Sequence, residues 1–137
     1  MVKLITGGKG TGKTKKMIEM ANNLIDTEEG NIVFVDDNKR SMYDLKHKVR
    51  FISLDEYPVK NIDSFLGFLC GIISRDHDIE TIFIDGLLKM KNIELNHLIP
   101  FTKEIKDLSE KFEINFVMSI SCDLDKLPEE LRAYDIL

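Results

Sequence analysis

The sequence predicts an α/β fold, a three-layer α/β/α sandwich around a mostly parallel five-stranded sheet. Two observations carry this expectation. Five apolar, β-rich runs recur along the 137 residues: Val2–Thr6, Ile32–Val35, Val49–Leu54, Thr81–Ile84 and Ile114–Ile120. Most are continuous rather than alternating, as strands covered on both faces are. Helical patterns separate the runs, and strands that alternate with helices imply a doubly wound sheet with right-handed crossovers. The length suffices for one domain with its own core and is too short for two, so residues 1–137 are expected to form a single minimal domain.

The elements follow in order. After Val2–Thr6 comes a glycine-rich run, and then Met17, Met20, Ala21, Leu24 and Ile25 at helical spacing, ending before Glu29-Gly30. A short helix is expected over Arg40 to Lys46. The stretch from Asp63 to Asp76 is apolar on nearly all sides (Phe65, Leu66, Phe68, Leu69, Ile72, Ile73). Such a helix is either deeply buried or meets another subunit. Pro100 suits the first turn of the next helix, where its missing N–H costs little. In that helix Phe101, Ile105, Leu108 and Phe112 form one stripe. Glu129 to Tyr134 reads as a last short helix.

The glycine-rich run is GGKGTGKT, Gly7 to Thr14, which fits GxxxxGK[ST] and stands between the first strand and the first helix. In that context the motif is a P-loop, a backbone cradle for nucleotide phosphates. Gly8, Gly10 and Gly12 are expected to let successive N–H groups point inward as an anion-binding nest. The loop ends at a helix N-terminus, whose free N–H groups and dipole favour negative charge. Lys13 is expected to reach the β- and γ-phosphates, and the Thr14 hydroxyl to be a Mg²⁺ ligand. Gly7, Lys9, Thr11 and Lys15 complete the expected phosphate-binding set.

A second carboxylate site is expected at Thr81-Ile-Phe-Ile-Asp85, an apolar strand ending in Asp. Ligand sites gather at the carboxyl ends of strands in open α/β sheets, so Asp85 is assigned to Mg²⁺, through a water. Gly86 follows Asp85, where many P-loop ATPases carry a Glu that orients the attacking water. Asp55 and Glu56 are the nearest substitutes, and they also read as a surface turn. Asp36-Asp37 either face the nucleotide or cap the next helix. Ser119 and Ser121 stand near the end of the last strand, within reach of a γ-phosphate or an attacking water.

Composition narrows the class. With 43% hydrophobic and 31% charged residues the chain reads as globular rather than disordered. A net charge of −5 argues against nucleic acid as the main partner. The one basic stretch, Lys39-Arg40 with Lys46, His47, Lys48 and Arg50, reads as solvated surface. Cys70 and Cys122 lack metal or disulfide spacing, which suits a reducing cytoplasm, and Cys70 is expected to be buried. The apolar run Phe65–Ile73 is too short to span a bilayer. The first strand begins at the amino terminus, so no signal peptide is expected.

Gly7–Thr14, Asp85 and the order of strands together resemble the P-loop NTPase superfamily, and within it the RecA-type and thymidine-kinase-like branch more than the small GTPases. The resemblance implies a P-loop NTPase fold in which the Ile114–Ile120 strand lies between the P-loop strand and the Asp85 strand. It implies ATP and Mg²⁺ as cofactors, and Lys13 and Asp85 as the groups acting on the phosphates. No NKxD-like guanine signature is present, since Asn38-Lys39-Arg40-Ser41 lacks its Asp, which argues against a GTPase. The zinc-ribbon cysteines of thymidine kinases are missing, and the four arginines are scattered rather than gathered in a lid. In the implied order Val2–Thr6 lies near a sheet edge, to be covered by Arg132–Leu137 or by a second subunit. The expected protein is a cytoplasmic, ATP-binding NTPase that hydrolyses slowly or with a partner, either a second copy or another protein. The alternatives are a non-hydrolysing nucleotide-gated binding module and a small-molecule kinase. Arg75 and Arg132 are candidate arginine fingers across an interface.

Overall fold

The computed structural model describes Met1–Leu137. Its elements are β1 (Val2–Gly7), α1 (Lys13–Thr27), β2 (Asn31–Asp36), β3 (Arg50–Ser53), α2 (Ile62–Arg75), β4 (Ile79–Ile84), α3 (Leu98–Phe112), β5 (Asn115–Ser121), α4 (Glu129–Arg132) and β6 (Asp135–Ile136). They build an α/β fold on one six-stranded sheet of order β3-β2-β4-β5-β1-β6, with every neighbouring pair parallel. β5 lies between β1 and β4, as the resemblance implied.

The strand count corrects the expectation of five. Asp135-Ile136 pairs beside β1, with Lys3 opposite Asp135 and Leu4 opposite Ile136, and the Leu137 N–H donates to the Leu4 carbonyl at 2.8 Å. Two residues are too few to register as an apolar run. This strand covers the outer edge of β1 within the chain, so that edge is not left for a second subunit.

Successive strand residues point to opposite faces, and the two faces carry separate cores. Leu4, Val33, Val35, Ile82, Ile84, Phe116, Met118 and Ile120 pack under α2, α3 and α4 with Phe65, Leu69, Phe101, Ile105 and Leu131. Ile5, Ile32, Phe34, Phe83 and Val117 pack under α1 with Met17 and Ala21. Phe34 and Phe83 stack there with ring centroids 5.7 Å apart. The first core gathers 22 buried residues and the second 8, so most of the hydrophobic stabilisation lies on the side away from α1.

α2 starts at a reciprocal cap: the Asn61 side chain accepts from the Ser64 N–H, and the Ser64 hydroxyl oxygen accepts from the Asn61 N–H. Its buried residues are Phe65, Leu69 and Ile73, one stripe at i, i+4 and i+8. Cys70 lies about 140° round the helix from Phe65. It is exposed, which corrects its expected burial. In α3, Phe101 and Ile105 are buried, but Phe112, expected in the same stripe, is 43% exposed. It is the last helical residue before Glu113 turns at φ 56, where the chain has passed the amino edge of the sheet. The expected helix over Arg40 to Lys46 is a 3-10 turn, Arg40–Asp44. No helix is long and apolar enough to cross a membrane.

The role of β6 is testable in one bond. Leu137→Pro removes the N–H whose hydrogen bond the Leu4 carbonyl accepts. Urea unfolding is expected to show a loss of about 1 kcal/mol, with greater self-association by light scattering as the β1 edge opens.

Candidate functional site: a glycine-rich loop facing a buried carboxylate

The carboxyl ends of β1, β4 and β5 converge on one cavity of about 210 Å³. It is lined by Lys9, Gly10, Thr11, Gly12, Lys13, Thr14 and Lys15 from the loop and the first turn of α1. Asp85 and Lys89 line it from beyond β4, and Ser121 from the end of β5. Gly7 and Gly8 do not line it; they carry the loop out of β1. Positive φ falls at Gly7, Gly10 and Gly12 rather than at Gly8. Gly12 is the N-cap of α1 at φ 85, a conformation in which a β-carbon is strained.

The start of α1 is unlike that of α2. Gly12 supplies no side-chain cap, the first turn has no acidic residue, and Lys13, Lys15 and Lys16 follow at once. Cations at a helix N-terminus oppose its dipole, whereas an anion there is favoured. The first-turn N–H groups thus face the cavity without a side-chain partner.

Lys13 is only 9% exposed and folds back along the loop, donating from Nζ to the Gly8 carbonyl at 2.8 Å. The Thr11 hydroxyl donates to the same carbonyl at 2.7 Å. Burial pushes the Lys13 pKa down, and nearby Lys89 adds to this, while the Asp85 and Asp123 carboxylates oppose it. A buried ammonium with lowered pKa is poised to gain from a further negative charge.

Asp85 is buried and its two oxygens are both engaged. The Thr14 hydroxyl donates to Oδ2 at 2.6 Å, and the Ser119 hydroxyl donates to Oδ1. The Asp85 N–H donates to the Val35 carbonyl at 2.8 Å, which ties the end of β4 to β2. Ser119 therefore positions Asp85, while Ser121 borders the cavity. Asp36 is buried beside them, accepting from the Asp37 N–H at 2.7 Å and the Ser41 hydroxyl at 2.9 Å. It faces Asp85 and does not line the cavity. Burial, its side-chain contact with Asp37 and the Asp85 charge push its pKa up to about 7, against the two hydrogen bonds that favour the carboxylate.

Other expected residues lie elsewhere. Asp55 and Glu56 are exposed in the turn after β3, where Asp55 accepts from Ser53 and Glu56 pairs with Lys39 at 2.7 Å. Arg75 ends α2 before the start of β4, and Arg132 ends α4 before the start of β6. Both are at the amino edge of the sheet, opposite the cavity. Two residues that sequence reasoning missed belong to the site. Lys89 lines the cavity, and Asp123 has a carboxylate oxygen 3.3 Å from where a Gly8 β-carbon would stand. A basic residue four positions beyond the strand-ending Asp was the available signal for Lys89; nothing in the sequence singled out Asp123.

No protein-family model matches the chain, and no curated protein is significantly similar to it in sequence.

Asp36 gives the fold a definite pH dependence. Its folded pKa is raised from 3.8 to about 7, so between those values the native state holds a proton that the unfolded chain has lost. Its contribution is fully present below pH 4 and is lost as pH rises through 7. Asp36→Asn is expected to remove this decline, which is of order a few kcal/mol. Urea unfolding of both proteins from pH 4 to pH 8 checks it: parallel curves would contradict the assignment.

Proposed function

We propose that the chain is a P-loop NTPase that binds ATP with Mg²⁺ and hydrolyses it slowly or with a partner. One observation carries the reading. Thr14 and Asp85, 71 positions apart in the chain, meet at 2.6 Å beside a glycine-turned loop that holds a buried lysine. The phosphates would lie against the first-turn N–H groups of α1, with Lys13 donating to their oxygens in place of the Gly8 carbonyl.

The donor set fits Mg²⁺, which takes oxygen ligands and keeps several of its waters. The Thr14 hydroxyl donates its proton to Asp85, which leaves its oxygen lone pairs for a cation. Asp85, with both oxygens already accepting, suits contact through a water. The ion, when bound, supplies charge neutralisation to the phosphate oxygens. ATP rather than GTP follows from the missing guanine signature after Asn38.

Slow turnover follows from what stands after Asp85. Gly86 has φ 77, strained for any residue with a β-carbon, and a side chain there would have to displace the Asp37 carboxylate, whose oxygen would lie 2.4 Å from the β-carbon. Asp36 has a pKa suited to a base but does not border the cavity. Ser121 is the remaining polar side chain from the strand ends, and a hydroxyl is a weak base. Phosphoryl transfer needs its attacking group well positioned, which leaves the chain alone a poor hydrolase.

A second reading, transfer to a small-molecule acceptor, is favoured by one feature. A groove of about 500 Å³, lined among others by Asp37, Asp55, Tyr57 and Lys60, shares Lys89 with the phosphate cavity.

Lys13→Ala separates these readings from a structural role for the loop. Calorimetric titration is expected to show triphosphate binding weakened about tenfold or more, and diphosphate binding weakened less. Phosphate release from ATP and Mg²⁺ by the native protein, abolished in the variant, supports hydrolysis. Tight binding without release supports a nucleotide-gated module, and release only with an added acceptor supports a kinase. Equal weakening for both nucleotides contradicts the γ-phosphate contact.

A further inference from the structure

Beyond β4 the backbone turns sharply. Gly86 adopts φ 77 in space that a β-carbon would not share with the Asp36 and Asp37 carboxylates. Leu87 is then fully buried, and the 3-10 turn Leu87–Lys89 is closed by the Lys89 N–H on the Gly86 carbonyl at 3.1 Å. The anchored Leu87 fixes where the turn ends. Lys89 consequently leaves the turn beside the phosphate cavity, on the Asp85 side, whereas Lys13 enters from the β1 side. β5 alone separates β1 from β4, so their exits are two strand spacings apart, roughly 10 Å.

Two further facts bear on Lys89. Its charge is close enough to Lys13 to oppose protonation there. Like most of the chain's basic side chains, Lys89 makes no ion pair. Lys89 is exposed at the rim of a cavity that already holds Lys13, and its ammonium is free to donate to an anion bound there.

We propose that Lys89 is a second cationic contact for the terminal phosphoryl group, and that with Lys13 it lets the site distinguish a nucleoside triphosphate from a diphosphate. The proposal rests on the reading of the cavity as a triphosphate site. Lys89 is a phosphate-binding residue of this chain's own, supplied from the turn that occupies the position where a water-activating carboxylate is missing. Because Lys89 also borders the neighbouring groove, the group it holds is the phosphate nearest that groove.

The test is calorimetric titration of the full chain with ATP, ADP and tripolyphosphate, each with Mg²⁺, for the native protein and Lys89→Gln, Lys89→Arg and Lys91→Gln. Lys91 lines the groove but not the phosphate cavity, so it controls for general loss of positive charge. The preference for ATP over ADP is expected to fall about tenfold in Lys89→Gln, with a matching loss for tripolyphosphate. Lys89→Arg is expected to keep most of the preference, and Lys91→Gln all of it. Lys89 is exposed, so the variant is expected to unfold at the same urea concentration as the native protein. An unchanged ATP-to-ADP ratio in Lys89→Gln, or an equal fall in Lys91→Gln, overturns the proposal while leaving the cavity reading intact. Native protein that binds neither ATP nor tripolyphosphate overturns the cavity reading itself.

Discussion

The hydrogen bond from Thr14 to Asp85 is the contact on which the site depends. It joins the first turn of α1 to the end of β4, and it forms because the sheet sets β1 and β4 on either side of β5. Ser119, on β5, completes the link by donating to the other oxygen of the same carboxylate. The first turn of α1, the end of β4 and β5 are thereby tied through one buried group. A buried carboxylate without such donors would be costly, and with them it becomes a fixed point from which the loop is aimed.

Charge is unevenly distributed around that point. Lys13 and Asp85 are buried, Asp36 is held partly neutral beside them, and Lys9, Lys15 and Lys89 line the cavity. The start of α1 carries lysines where α2 carries Asn61, Ser64 and Asp63. Within one molecule, then, one helix is closed by its own side chains and the other leaves its N–H groups facing a cavity. The asymmetry is chemically meaningful because uncapped helix N-termini favour anions.

The two cores explain why this arrangement holds its shape. α1 is backed by the smaller core, around Phe34, Phe83, Met17 and Ala21, and carries the loop directly. α2 and α3 cover the larger core on the opposite face, which anchors the sheet independently of the loop. Movement of the loop therefore need not disturb most of the buried surface. At the sheet's edge the two-residue β6 shields β1, so the strand that leads into the loop is held on both sides.

By itself, the sequence determined the alternation of strands and helices, the loop Gly7–Thr14 and the Asp at the end of the fourth strand. Each is a local pattern: apolar runs of strand length, glycines at fixed spacing, an acidic residue closing a β-rich segment. Tertiary structure alone decided the rest. Asp135-Ile136 is a strand only because β1 offers it an edge, and Cys70 is exposed because α2 turns a different stripe toward the sheet. Asp36 acquires its raised pKa from burial beside Asp85, a residue 49 positions on. Lys89 and Asp123 reach the loop through turns whose direction is set by long-range packing. Patterns with a short period are written in neighbouring residues, while pairing, burial and charge proximity arise only when distant segments meet.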